Sequence, residues 1–194
     1  MIQEYISRKD MIISKSIDII CDSGIKGLNI KNVSLKTNIS EDMLYKYYGS
    51  IDEILSDVIE YYFKFDDSLQ ATIDQKECSG VEKLRFYVDQ YAQYYDGYYE
   101  ISTIMLHYEE LLHMEATRER VSEGILKRRQ YLNKLVEQAK AEGDIAAEID
   151  TVGITEIITA KIILATLNRR IVYYRNTFRN EILTFMDALL KRIC

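Results

Sequence analysis

Glu110-Leu111-Leu112-His113 has the Glu-x-x-His spacing with which helical bundles hold paired metal ions, but such a centre takes two of these pairs and two further glutamates. Three residues before the other histidine, His107, stands Ile104, so there is no second pair and no metal site is expected. Cys21, Cys78 and Cys194 are odd in number and widely spaced, which predicts reduced thiols rather than a disulfide framework. No nucleophile with its base, phosphate-cradling loop or metal cluster stands out, and no cofactor is expected. What the side chains offer is recognition. Lys31, Ser40, Met43, Tyr45, Lys46 and Tyr47 combine cations and hydroxyls suited to phosphate with side chains that can touch a base edge. The competing reading is that the tyrosines here merely pack on their own small domain. A second group is aromatic: seven tyrosines fall between positions 87 and 108. Buried tyrosines must satisfy their hydroxyls, and several together form an apolar pocket with polar tips. A pocket lined by Tyr62, Tyr91, Tyr94, Tyr95, His107 and Tyr108 would suit an aromatic or amphipathic molecule; for Tyr91, Tyr95 and Tyr98 filled core is the alternative.

The elements that must position the first group lie between Asn29 and Leu55. Asn29 can cap a short helix whose apolar positions are Ile30, Val33 and Leu35. Asn38 tolerates the left-handed backbone that a sharp turn requires, and Ser40 restarts a helix as its N-cap, with Ile39 placed to staple against Leu44. Gly49 is expected to end this helix, and Ser50 to Glu53 forms a capping box in which Glu53 reaches the N–H of Ser50. Helix, tight turn and second helix make a helix-turn-helix, whose second member can lie in a major groove.

These residues resemble the DNA-binding domain of the TetR family of bacterial transcriptional regulators. The resemblance is carried by Arg8, Ile12, Ile13, Ile19, Ile20 and Gly24, then by Val33-Ser34, Asn38, Ile39-Ser40, Met43-Leu44-Tyr45, Tyr47-Tyr48, Ile51 and Ile54-Leu55, without a gap from Val33 onward. It implies that Tyr45 and Tyr47 meet phosphate or bases, that Tyr48 fills the place of a buried phenylalanine, and that effectors bind among the later helices. It also implies an operator of double-stranded DNA, a homodimer and a small-molecule effector. The chain departs from the pattern at Ile51, where the family usually has a phosphate-binding lysine, and at Asn38, which replaces a glycine. Glu41 and Asp42 favour the positive end of the helix yet would face phosphates there. A member that binds a protein partner instead of DNA is therefore one alternative, and an all-helical enzyme without recognisable motif is another.

A chain of 194 residues with a hydrophobic fraction of 47% can bury a sizeable core, and the absence of proline fits an almost wholly helical fold. Net charge is −6, and residues 1–60 carry seven basic against ten acidic side chains. Residues 26–50 hold four lysines against Glu41 and Asp42, so only a local patch can meet phosphates. The N-terminal MIQEYISRKD has no apolar signal core, and no uninterrupted apolar run approaches roughly 18 residues, so a cytoplasmic, non-membrane location is expected.

The expected fold is all-α, with about nine helices. Residues 1–50 form a three-helix DNA-binding domain, and 51–194 a helical effector-binding and dimerisation domain. Helices are expected over 8–23, from Ser50 to about 74, after the Ser79-Gly80-Val81-Glu82 capping box, over 101–113, 115–142, 150–174 and 176–193. The penultimate helix is apolar nearly all round and the last has a broad stripe from Phe178 to Leu190, so both need more cover than one chain supplies. Pairing with their copies as a four-helix bundle meets that need.

Overall fold

A computed structural model describes residues 7–171 and 177–194, and every regular element among them is helical. The helices are α1 (Arg8–Ser23), α2 (Ile30–Thr37), α3 (Glu41–Leu44), α4 (Ile51–Asp74), α5 (Gly80–Gly97), α6 (Tyr99–Ser102), α7 (Tyr108–His113), α8 (Arg118–Ala141), α9 (Thr151–Ile171) and α10 (Phe178–Ile193). Two 3₁₀ turns, Ile25–Gly27 and Thr103–His107, complete the set. The chain divides into two compact units. The first runs to Lys64 and takes in Thr103–Ser122; the second comprises Phe65–Ser102 and the chain from Glu123. The expected helix through 172–174, and the start of the last one at 176, lie outside the described residues.

Local chemistry sets the ends of most helices. Gly24 stops α1 at φ 71° and donates its N–H to the carbonyl of Ile20 at 2.8 Å. Gly143, at φ 81°, closes α8 with a paired motif: Asp144 N–H reaches Ala139 O at 2.9 Å and Gly143 N–H reaches Lys140 O at 3.1 Å. Ser79 and Glu82 form both halves of the capping box that opens α5. The expected single helix over 101–113 is instead α6, a 3₁₀ turn and α7. Ile101, Ser102, Thr103, Ile104 and Met105 are all buried, so this segment has no solvent face for helical periodicity to mark.

In the first unit α1 presents Ile12, Ile13, Ser16, Ile17 and Ile20 inward and packs on α2. In the second unit α10 packs on α5 and α9. There Gly80 lets two helices approach closely: a Cβ on it would stand 2.4 Å from the backbone nitrogen of Ala139 and 2.7 Å from its Cα, and neither can rotate away. Its N–H also donates to the Glu142 carboxylate at 2.5 Å, which holds that carboxyl below its ordinary range. Gly80→Ala should therefore cost about 2–3 kcal/mol through overpacking. A fall in the urea midpoint at unchanged slope is the readout, and an unshifted midpoint would show that α5 and α8 have room to part.

Acids on α4 meet bases on α8 at seven-residue steps: Glu60 pairs with Arg120 in the first unit, and Asp67 with Lys127 and Asp74 with Lys134 in the second. These exposed pairs set register more than stability. The buried contact is Asp66 with Arg128, whose Nε and Nη2 donate to the two carboxylate oxygens at 3.0 and 2.8 Å. Lys134, joined by the Tyr131 hydroxyl, holds Asp74 below the usual carboxylate range. That contribution is fully present above the unfolded carboxyl's pKa, neutral pH included, and is lost as pH falls through the lowered folded value.

Helix α9 leaves one apolar stripe uncovered. Ile157, Ala160, Leu164, Leu167 and Ile171 are exposed at alternating steps of three and four, with Leu164 at 51% and Ile171 at 68%. By length and composition alone α9 could cross a membrane, at a mean hydropathy of 1.3. Its other side belongs to a protein interior: Ile154, Ile158, Ile162 and Ala165 are buried, and Lys161 is paired with Glu181 of α10 at 2.5 Å. On α10 Phe178, Ile182 and Met186 are buried, whereas Leu183, Phe185, Leu189 and Leu190 are half-covered.

Candidate nucleic-acid interface and ligand region

The turn between α2 and α3 is built as the residue types require. Asn29 accepts from Asn32 N–H at 2.9 Å and starts α2, and Asn38 takes φ 57°, ψ 30° after it. Ser40 then caps α3 by accepting from Met43 N–H at 3.3 Å. Val33, Thr37 and Leu44 are buried, which seats both short helices on the unit's core. Leu35, expected on the inner side, is 69% exposed. Inward Val33 and Thr37 are four residues apart, and a residue two steps from each must point away.

The segment after the turn is shorter as an α-helix than expected. After Leu44 the chain tightens: Lys46 N–H bonds Met43 O at 3.2 Å and Tyr47 N–H bonds Leu44 O at 2.9 Å, both steps of three. The coil thus runs on to Tyr48 before Gly49, but as turns. Tyr48 is 2% exposed and its hydroxyl donates to Asp57 at 2.9 Å. Burial and that carboxylate push its phenol well above the ordinary range, so it remains a donor. Glu53 accepts from the N–H of Gly49 at 2.8 Å rather than reaching Ser50, while the Ser50 hydroxyl accepts from Glu53 N–H at 3.2 Å. The expected capping box is therefore half formed and displaced by one residue, because the tightened turn brings Gly49 over the Glu53 carboxylate.

Lys31, Ser40, Tyr45 and Lys46 are exposed, and Met43 and Tyr47 are half-exposed. Together they give the unit an outward surface of two cations, hydroxyls and one thioether. Two further cations adjoin this surface, neither of them among the six residues expected to form it. Arg8 Nη1 donates to the Tyr47 hydroxyl at 3.4 Å, and the Lys9 ammonium lies 4.7 Å from the centre of the Tyr48 ring. Both cations stand at the start of α1, 39 residues from the segment they adjoin, so spacing alone carried no signal for them. Lys36, by contrast, is held by Asp22 at 3.1 Å, a bond that raises its pKa. Ile51, where the resemblance leads one to expect a lysine, is half-buried at the first position of α4.

The six residues expected to line a ligand pocket fall into two groups. In the first unit the Tyr62 and Tyr108 hydroxyls share a hydrogen bond of 2.7 Å, with their rings edge to face. His107 precedes Tyr108 and lines an open groove of about 710 Å³ together with Ile25, Lys26, Glu110 and Met114. In the second unit Tyr91 and Tyr95 are buried on α5, with ring centres 5.6 Å apart. Tyr94 is half-exposed and stacks on Phe65 at 4.0 Å beside a groove of about 420 Å³. Among the described residues, no cluster of three or more His, Cys, Asp or Glu could hold a metal ion.

No family model matches the chain, and no curated protein does. Solved structures do. The ketosteroid transcriptional regulator KstR2 of Mycobacterium tuberculosis superposes at TM-score 0.83 and 12% identity, over 96% of this chain and 95% of that one. The TetR family transcriptional regulator PfmR of Thermus thermophilus gives TM-score 0.79 and 15% identity over 93% and 97%. AibR, solved with isovaleryl coenzyme A and operator DNA, gives 0.74 and 16% over 96% and 98%.

Proposed function

We propose that this chain, which has the all-α fold of TetR-family transcriptional regulators, is a ligand-responsive DNA-binding regulator that represses by occupying an operator. The observation that carries the reading is the outward surface of Lys31, Ser40, Tyr45 and Lys46 on a helix-turn-helix whose bend Asn38 fixes. Residues 1–50 are its DNA-binding part; 51–194 hold the effector and the dimer contact. The stripe on α9 and the half-covered side of α10 would be covered by the same helices of a second copy, which suits a cytoplasmic homodimer better than a lipid surface. That pairing puts two helix-turn-helix motifs on one duplex, where successive major grooves repeat at about 34–36 Å.

Phosphate contacts from Lys31, Lys46, Tyr45 and Tyr47 set the position, and Ser40 and Met43 add base preference. The effector, an aromatic or amphipathic molecule, is read to release the operator by favouring an arrangement in which α4 holds the two motifs at the wrong distance. A ligand indifferent to the two arrangements could not do so. AibR, with both an acyl-coenzyme A ligand and operator DNA, shares the fold and supports this coupling. Catalysis has no role in the proposal.

Lys46→Ala tests the interface. Operator affinity should fall about equally for all sequences, and the slope of log affinity against log salt should shrink by about one per copy engaged. An unchanged slope in a fluorescence-anisotropy titration would place Lys46 off the phosphates.

A further inference from the structure

Among the described residues, the polar side-chain atoms buried without a hydrogen-bond partner include two that lie in one cluster of the second unit: Nε2 of Gln70 on α4 and the hydroxyl of Tyr91 on α5. Tyr91 is 2% exposed. Asp66, one turn before Gln70, is gripped by Arg128, whose guanidinium lies 5.0 Å from the centre of the Tyr91 ring. Tyr131, one turn after Arg128, donates its hydroxyl to the Gln70 backbone carbonyl at 3.2 Å. Its ring is 5.7 Å from that of Tyr87, which stands 4.8 Å from Tyr91.

A buried donor left unbonded carries a standing cost, and two of them linked through Arg128 and Tyr131 carry one that a suitable guest would remove. An amide nitrogen only donates and a phenol donates readily, so the complementary group is an acceptor oxygen. The charges decide which kind. Arg128 is engaged by both oxygens of Asp66, and Lys134 by Asp74, so an entering carboxylate would have to displace one of these partners. An uncharged carbonyl meets the same donors at no such cost. Phe65, Tyr87 and Tyr95 pack their rings around that of Tyr91, so the surroundings of these donors are apolar, as the body of an uncharged acyl compound requires.

We propose that Gln70 and Tyr91 form the polar end of a binding site for the uncharged carbonyl of an acyl compound: an ester, thioester or amide. As an effector site it rests on the ligand-responsive reading above; as a binding site it stands on these contacts.

Isothermal titration of the whole protein with three probes tests it: S-ethyl thiooctanoate, octanoate, and ethyl octyl thioether, which has no carbonyl. The thioester binds, and the other two bind at least about tenfold more weakly, the loss expected when buried donors go unmet. Tyr91→Phe adds a readout that a purely structural hydroxyl would not give. It weakens thioester binding by about tenfold, yet raises the melting temperature of the ligand-free protein by about 2–4 °C, because an unmet hydroxyl has been removed. A lowered melting temperature, equal binding of thioester and thioether, or no binding of the thioester overturns the site. Operator affinity, measured separately with bound thioester, bears on the effector role alone: binding without any change in DNA affinity sinks that role and leaves the carbonyl site standing.

Discussion

Arg128→Ala should lower stability by about 3–5 kcal/mol, a fall in melting temperature of about 6–20 °C for a chain of this length. Asp66 is 3% exposed and accepts a charge-assisted hydrogen bond on each carboxylate oxygen from this one side chain. Removing the guanidinium leaves a carboxylate enclosed without a counter-charge, and the penalty is that of the abandoned charge rather than of the lost attraction. The companion variant separates the two. Asp66→Leu with Arg128→Met removes both charges at similar volume and should recover most of the loss, since a buried pair is seldom better than apolar packing. Thermal unfolding of the three proteins gives the comparison. A single variant within about 1 kcal/mol of the parent would mean that water reaches Asp66.

Leu164→Glu should leave the protomer folded and convert a dimer to a monomer, with operator affinity falling by about 10²–10⁴ as the second helix-turn-helix stops binding intramolecularly. Leu164 is half-exposed within one chain, so the charge costs the protomer little. In a four-helix contact it would be buried twice, once from each copy, because a two-fold axis repeats every residue of the stripe. Sedimentation at micromolar concentration and anisotropy on the same samples read both effects. A variant that still sediments as a dimer would move the contact off the Ile157 to Ile171 face.

Features settled within a few residues of sequence were readable from it. Asn38 in the left-handed region, the Ser79 and Glu82 capping box and the stops at Gly24 and Gly143 each depend on one residue type and its immediate neighbours. Where the structure departs, something beyond local pattern decides. Ile101–Met105 are enclosed on every side, so periodicity could not distinguish a helix from a 3₁₀ turn. The segment after Leu44 tightens, and Glu53 consequently bonds Gly49. Leu35 is a hydrophobe on the outward side of α2, a position that composition alone assigns to the core.

The exposure of the candidate surface was legible to the same degree. Ser40, Tyr45 and Lys46 stand outward as a capped two-helix turn demands, while Arg8 and Lys9 reach the segment only through the tertiary fold. Gln70 gave no signal at all, following Asp66-Asp67-Ser68-Leu69 in a run that reads as a solvated face. The pairing of acids at 60, 67 and 74 with bases at 120, 127 and 134 emerges only in the fold, because charges so common along both helices single out no partner by spacing.

Whether the outward face of α3 grips a duplex is decided by titrating the purified protein into fluorescent DNA from upstream of its own gene, at 50 mM and 200 mM salt. A dimer that makes about 6–10 phosphate contacts should lose about 10³–10⁵ in affinity between the two, nearer the lower figure because Ile51 supplies no cation. Binding that is absent at 50 mM, or equally strong at both concentrations, would contradict the regulator reading and leave the protein-partner alternative in its place.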